Sequence, residues 1–580
     1  MARIHKLSIR NFRSIQSLDW TPSRGINCLV GPGDSGKSSI LDAIDLCLGA
    51  RRSAPFGDTD FHNLNVAIPI EISITLGELS DDLMNIEVYG DHLRGFNSRT
   101  NTIEDEPGNG LETVLTLQLR VESDLEPEWT LHSARAEEHG HVRNLKWKDR
   151  ASLAPARIGA YAHSNLSWSR NSVLNRLTED KPDLGEELAK AARQARNSFG
   201  QDAAAPLGEA LRVVSETAAS LGVPIGRAAQ ALLDAHTVSI GDGAIALHNE
   251  HGVPLRSLGT GSSRLLVAGL QRVAAKNASI ALVDEVEYGL EPHRLIRFLD
   301  SLGAKESDEP PLQAFITTHS PVALRELDGD QVFIVRSAQG QHKVIVAGTS
   351  DEIQGTLRAA PDAFLAKFVV VCEGASEVGF VRGMDQYGVE HRNEMSLYAT
   401  GGAFVNVSGG SPDNCFKRGL ALMKLGYHSI VVVDADKQAK QRNVNAFLGA
   451  GGQYITWQLG HALEDELFTN LGDAALDQLL VIAKERLSTE LVAQHIQSMS
   501  NNQHSLAGIE ASRAAGEPYS EEVRTLLSRA SKNETNSWFK TLGTYQRVSK
   551  EAVFPYFDQA KQEFREVVNQ LKGYLNAAGA

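Results

Sequence analysis

Apolar positions recur through the first thirty residues at Ile4, Leu7 and Ile9, then at Ile26, Cys28 and Val30, which predicts strands across 2–30. A glycine-rich stretch follows, and then helical periodicity through Ser38, Ser39, Ile40, Leu41, Asp42, Ala43 and Ile44. Residues 66–162 read as strand-rich, with strands at 66–76, 113–121, 129–133 and 157–162. The stretch 84–110 is polar and rich in Gly and Asn, so it reads as a loop or poorly ordered insertion. In 168–236, Leu174, Leu177, Leu184, Leu188, Ala192 and Ala195, then Leu207, Ala210, Leu211, Val214 and Ala218, fall at helical spacing. This predicts a helical insertion, whose apolar face either closes a subdomain core or forms a dimer interface. From Val238 the strand pattern returns, and Ile280–Val283 and Gln313–Thr317 are short apolar strands ending in polar residues. Buried parallel strands present ligands at their carboxyl ends. A second α/β unit begins near Pro361, with strands at 368–372 and 430–433 and helices at 377–387 and 443–448. Beyond Asp473 the pattern is helical and polar.

The chain has 580 residues, too many for one core; at about 100–200 residues per domain, three or so are expected. An apolar fraction of 42% and a charged fraction of 22% are those of a globular protein. A net charge of −15 counts against a surface that coats nucleic acid. It leaves room for metal-assisted chemistry on phosphate, because ions and a local basic groove neutralise charge. Cys28, Cys47, Cys372 and Cys415 form no CxxC pair, which argues against a zinc site or a disulfide framework and fits a reducing cytoplasm. No apolar run approaches the roughly 20 residues of a membrane span, and the N-terminus leads into a strand, not a signal core.

Two groups of residues carry chemistry. The first is Gly31-Pro-Gly33-Asp34-Ser35-Gly36-Lys37-Ser38-Ser39, a GxxxxGK[ST] loop between a strand and a helix. Its backbone N–H groups and the helix N-terminus suit the phosphates of ATP, Lys37 the β/γ-phosphates and Ser38 a Mg²⁺ ion. Asp284 and Glu285 end an apolar strand, where Asp284 would hold the Mg²⁺ shell and Glu285 polarise the attacking water. His319 follows another strand and suits a γ-phosphate contact. The second group lies at later strand ends: Glu373-Gly374 with Glu377, then Asp434-Ala435-Asp436. Glu377 shares a face with Glu373 if the helix extends back, and strand alternation would point Asp434 and Asp436 the same way. Hard carboxylate oxygens suit Mg²⁺ or Mn²⁺, and two such ions about 4 Å apart activate water at a phosphodiester.

The nucleotide motifs resemble those of ABC-type ATPases of the SMC, Rad50 and RecF group. Asn11-Phe12-Arg13-Ser14 matches their opening, and Ser257-Leu-Gly259-Thr-Gly261-Ser-Ser-Arg-Leu265 resembles their signature segment, with Gly259 where a serine is usual. That resemblance implies ATP sites completed across a dimer of heads, with Gly259 and Gly261 touching the partner's nucleotide. Glu-Gly followed by Asp-x-Asp resembles the TOPRIM domain. The two together resemble the OLD family of nucleases, which includes Gabija-type antiphage nucleases. The implied fold is α/β: an ABC-type ATPase head with a helical insertion, then a TOPRIM Rossmann-like domain with a helical C-terminal region. The implied domains are 1–167, 168–236, 237–360 and 361–580. By the same resemblance Glu464 joins the ligands Glu373, Glu377, Asp434 and Asp436, and Lys540, after Trp538-Phe539, supports the transition state. Ser408-Gly409-Gly410 either lines that pocket or is only a turn.

The expectation is an ATP-regulated, divalent-metal-dependent DNA endonuclease or nickase. Its partners would be DNA, further copies of itself and a UvrD-like helicase, in antiphage defence and away from membranes. The alternative is a RecF/RecR-like repair ATPase whose TOPRIM domain binds partners without cutting. Topoisomerase and primase readings lack, respectively, a recognisable nucleophilic-tyrosine domain and a zinc module.

Overall fold

A computed structural model describes residues 2–51, 53–159, 165–166, 172–177, 185–220, 246–274, 279–306, 308–338, 340–533 and 535–579. The chain forms two compact units. One comprises Met1–Phe12, Thr21–Ile26 and Ile40–Ile316; the other comprises Arg13–Trp20, Asn27–Ser39 and Thr317–Ala580.

The first unit carries an antiparallel run of strands, in spatial order Thr102–Glu104, Leu93–Asn97, Glu112–Val121, Ile70–Gly77 and Arg3–Phe12, with Pro127–Leu131 paired to Glu112–Val121. Register matches the apolar positions: Ile72 faces Leu119 and Ile74 faces Leu117, and all four are buried. Gln313–Thr317, Ile280–Val283 and Ala156–Arg157 lie side by side in parallel. The Gln313 amide clamps this set: its Oε1 accepts the Ile4 N–H at 2.8 Å, and its Nε2 donates to the Ile4 and Ser23 carbonyls at 3.0 and 2.8 Å.

The stretch 84–110 is not a loop. It forms helix Ile86–Tyr89 and a hairpin of Leu93–Asn97 with Thr102–Glu104. Tyr89, Leu93 and Phe96 are its buried anchors. Backbone pairing of Leu93 with Leu115 extends the sheet, and such pairing leaves little trace in side-chain pattern. The strand expected from 66 starts at Ile70; of the one expected at 157–162, a strand is seen at Ala156–Arg157, and 160–162 lie outside the described residues. The helical insertion is helical at Val173–Leu177 and Gly185–Ser220, the latter 36 residues and so about 54 Å long. Its expected remainder to 236, and the strand pattern between 238 and 245, lie outside the described residues.

In the second unit, Ile15–Trp20, Gln341–Val346, Val332–Ala338 and Ile26–Val30 are neighbours in that order. A separate four-stranded parallel sheet has the order Gly402–Asn406, Phe368–Cys372, His428–Val433, Gln453–Thr456. From Phe368–Cys372 the chain crosses to one side and then back past it to the other. The two central strands therefore flank a topological switch point, where open α/β sheets bind ligands at strand carboxyl ends.

The helices beyond Asp473 are no appendage. Phe368, Val370, Phe380 and Val432 share one apolar core with Leu476, Trp538, Phe539, Tyr545, Phe564 and Leu571. Trp457 and Phe564 stack at 6.0 Å, and Trp538 meets Phe468 edge-on at 6.2 Å. Truncating one such aromatic to alanine costs about 3–5 kcal/mol. Among the described residues no helix is long and apolar enough to cross a membrane.

Candidate functional site: phosphate loop and carboxylate cluster

Ile26–Val30 is wholly buried and delivers the chain to the phosphate loop, and helix Lys37–Leu48 leaves it. Gly36 has φ +85, and a Cβ there would lie 3.0 Å from His342 Nε2. At Gly31 a Cβ would lie 2.6 Å from the Val335 carbonyl. Both positions require glycine for close approach, whereas Gly33 has open space around it. Lys37 Nζ donates to the carbonyls of Gly31 at 3.1 Å and Pro32 at 2.8 Å, and to Ser35 Oγ at 3.2 Å. The ammonium is thus folded onto its own loop, ready to exchange carbonyl partners for phosphate oxygens. Gly33, Asp34 and Ser38 are exposed, and Ser39 is half-buried. Exposed His319 stands just beyond Gln313–Thr317.

In the other unit, Ile280–Val283 ends at half-buried Asp284 and exposed Glu285. Glu285 adopts φ +47, a left-handed conformation unfavourable to a glutamate. Arg264 holds this turn. Its guanidinium, fully buried, donates to the carbonyls of Asp284 at 3.4 Å, Glu285 at 3.2 Å and Tyr288. Arg264 belongs to helix Thr260–Val273, which the signature segment opens. Gly261 on its first turn must be glycine, since a Cβ would fall 2.3 Å from the Gly289 carbonyl; Gly259, the N-cap, meets no such constraint. In the sequence Arg264 stands only as a member of the signature segment, with no role of its own. Its spacing from Val267, Ala268 and Gln271, which places it on the buried face of the helix, was the available signal.

The carboxylates gather at the switch point. Glu373 follows Phe368–Cys372 and Asp434 follows His428–Val433, and these strands pair directly. The Asp434 N–H points to Glu373 Oε2 at 3.4 Å. Glu377 enters from helix Ala375–Arg392 with 3% exposure, its Oε2 accepting the Gly374 N–H at 2.6 Å. Glu464, 4% exposed, comes from the first turn of helix Leu463–Asn470, whose Leu463 N–H donates to Asp434 Oδ1 at 3.1 Å. The turn at Ser408, Gly409 and Gly410 has three successive positive φ values and is pinned by the Gly409 N–H donating to the Glu373 carbonyl at 2.7 Å. Exposed Lys540 lies close enough to lower Glu373 and Glu464 electrostatically, beside buried Trp538 and Phe539.

Two geometric expectations fail. Gly374 is extended, so the helix does not reach back to Glu373; the strand-to-helix turn brings Glu373 and Glu377 together instead. The strand stops at Val433, so alternation does not govern Asp434 and Asp436. Ala435 is tied to His461 and Gly460 by backbone bonds, Asp434 is half-buried in the cluster and Asp436 is exposed. Sequence reasoning also passed over Tyr545, whose fully buried ring reaches this cluster.

Burial raises all four inner carboxyls, Glu377 to about 7. Mutual repulsion adds to this: Glu373 and Glu464 raise Glu377, and Glu377, Glu464, Glu373 and Asp436 raise Asp434. Among the described residues no group of three or more His, Cys, Asp or Glu is arranged to hold a metal ion as it stands. The donors are nevertheless hard oxygens with excess buried negative charge, which a divalent cation would balance. The set fits Mg²⁺ or Mn²⁺ chemically, with side-chain closure around the ion still required.

A stability signature follows. A carboxyl raised in the fold favours the folded state below its unfolded pKa, and that contribution is lost as pH rises through the folded value. For Glu377 the window runs from 4.5 to about 7, roughly 3 kcal/mol. In chelator, the melting temperature should therefore fall as pH rises from 5 to 8. Mn²⁺ should restore more at pH 8 than at pH 5.5. Differential scanning calorimetry showing equal metal effects at both pH values would contradict the cluster's assignment.

Residues 26–325 match the family described as "AAA domain, putative AbiEii toxin, Type IV TA system". The OLD nuclease of Thermus scotoductus is 25% identical over 347 residues, 55% of this chain and 59% of that protein. The DNA replication and repair protein RecF of Nitrosococcus oceani is 49% identical over 53 residues, 9% of this chain and 14% of RecF. The alignments thus span less than two thirds of either relative. An SMC head bound to the C-terminal winged-helix domain of ScpA aligns with a TM-score of 0.34 at 17% identity, over 59% of this chain and 96% of that one. With its phosphate loop and with the matched region spanning more than half its length, the chain belongs to that AAA-domain family and carries its ATPase domain.

Proposed function

We propose that this protein is an ATP-regulated, divalent-metal-dependent DNA endonuclease or nickase of the OLD type, acting in antiphage defence. The observation that carries this reading is the cluster of mutually repelling carboxylates: Glu373 and Asp434, half-buried just past the carboxyl ends of two adjacent parallel strands, with Glu377 and Glu464 buried on the helices beside them. Gathering like charges in a low-dielectric site is costly, so a partner-binding scaffold has no use for it. In this reading, 1–167 and 237–360 form the ATPase head, 168–236 a dimerising insertion and 361–580 a TOPRIM nuclease domain.

Glu373, Glu377, Asp434, Asp436 and Glu464 would hold the ions. Bound Mg²⁺ or Mn²⁺ supplies an activated water and a Lewis acid for the leaving oxygen. Lys540 is left to neutralise charge developing on the phosphorane. At the head, Lys37 and Ser38 bind the ATP phosphates and Mg²⁺, Asp284 supports the ion, Glu285 orients water and His319 contacts the γ-phosphate. Gly259 and Gly261 face nucleotide in a second copy, which makes the working form a homo-oligomer. A UvrD-like helicase is the proposed protein partner.

The RecF match favours a second reading, a repair ATPase that loads onto DNA without cutting it. Supercoiled plasmid incubated with Mg²⁺ or Mn²⁺, and with no nucleotide, ATP or ADP, separates the two. Metal-dependent cutting that changes among the nucleotide conditions supports the nuclease. ATP hydrolysis without any cutting supports the loader.

A further inference from the structure

Among the inner carboxylates lies a hydroxyl that the chemistry above does not use. Tyr545, on helix Leu542–Val548, is fully buried, and its Oη has no hydrogen-bond partner. Burying a hydroxyl unpaired is costly, so such a group in a polar cluster calls for a role.

Two glycines put it there. Gly379 and Gly383 lie one turn apart on Ala375–Arg392, the helix that also carries Glu377. A Cβ at Gly379 would stand 2.4 Å from the Leu542 carbonyl and 2.7 Å from Tyr545 Cβ. At Gly383 it would stand 2.3 Å from the Gln546 carbonyl and 2.5 Å from Ser549 Cβ. Any larger residue would push the two helices apart and withdraw the phenol. Phe539 meets the Tyr545 ring edge-on at 6.1 Å and holds it from the side. The hydroxyl stands beside Glu464 closely enough for each group to shift the other's ionisation, and it also feels Asp434 and Glu377. No formed hydrogen bond joins the two groups.

We propose that Tyr545 is a positioning residue for Glu464: when that carboxylate turns to receive a divalent ion, the O–H donates to it and holds it in that orientation. This rests on the metal-dependent nuclease reading of the cluster. Outer partners of this kind fix the direction of a ligand's lone pairs, and their loss typically weakens metal binding or activity by about 10- to 100-fold.

Tyr545→Phe removes one oxygen and keeps the ring against Phe539 and the glycine pair. Mn²⁺ binding to the full chain, followed by electron paramagnetic resonance, should weaken about 10-fold or more. The Mn²⁺ concentration for half-maximal plasmid cleavage should rise by a similar factor, while the melting temperature in chelator is not lowered. Adding Tyr545→Phe to Glu464→Gln should bring no further loss of Mn²⁺ affinity. Mn²⁺ affinity equal to wild type in Tyr545→Phe, or a full additional loss in the Glu464→Gln background, overturns the proposal and leaves the nuclease reading standing. A wild-type protein that binds no Mn²⁺ overturns both.

Discussion

Asp434→Asn should abolish metal-dependent DNA cleavage and at the same time make the metal-free protein more stable. Cleavage is expected to fall at least 1,000-fold, or about 4 kcal/mol of transition-state stabilisation, because the central member of the ligand set loses its charge. The substitution leaves an oxygen to accept the Leu463 N–H, so the start of helix Leu463–Asn470 keeps its anchor. Stability should move the other way. Asp434 is pushed up by burial and by Glu377, Glu464, Glu373 and Asp436, so neutralising it relieves the whole cluster. A gain of about 1–3 kcal/mol in chelator at pH 8 is expected from removing one such buried charge. Thermal melts with and without Mn²⁺ should show the variant starting higher and gaining less from metal. A variant that loses both activity and stability would mark Asp434 as a structural residue.

Lys37→Met should remove ATP hydrolysis while sparing the cutting centre. The expected loss is about 100- to 1,000-fold in turnover, the usual scale for deleting one charged contact to a developing phosphate charge. Lys37 also donates to Gly31, Pro32 and Ser35, so the empty-loop conformation loses three bonds and local order. Cleavage without nucleotide should persist near the wild-type rate, and its response to ATP should vanish. Hydrolysis of radiolabelled ATP alongside plasmid cleavage reads both. If cleavage without nucleotide disappears as well, the loop supports the second site structurally and the gating account fails.

The residues of both candidate sites stood out in the sequence because they sit at the ends of strongly apolar strands. Ile26–Val30, Ile280–Val283, Phe368–Cys372 and His428–Val433 are short, almost wholly buried runs, and polarity switches abruptly at Gly31, Asp284, Glu373 and Asp434. The sequence does not state how far each strand runs. Asp434 and Asp436 therefore looked like alternating strand residues when they belong to a turn held by His461 and Gly460. Strands Gly402–Asn406 and Gln453–Thr456 escaped because only part of each is buried and their pairing is made by backbone. The hairpin in 84–110 was lost for the same reason. Arg264 and Tyr545 were hidden differently. Each acts far along the chain from its own position, on the turn at Glu285 and on the carboxylates, and no local pattern encodes such a meeting. The glycines that permit these approaches, Gly261 and the pair Gly379 and Gly383, are ordinary helix residues until the packing is known.

The central claim is that the carboxylate cluster cuts DNA with a bound divalent ion. Its most direct test is a time course on supercoiled plasmid with wild type and Asp434→Asn/Asp436→Asn side by side, in Mg²⁺, in Mn²⁺ and in chelator. The account expects nicked or linear product only from the wild type and only with metal. Equal cutting by the two proteins, or cutting by the wild type in chelator, would contradict it.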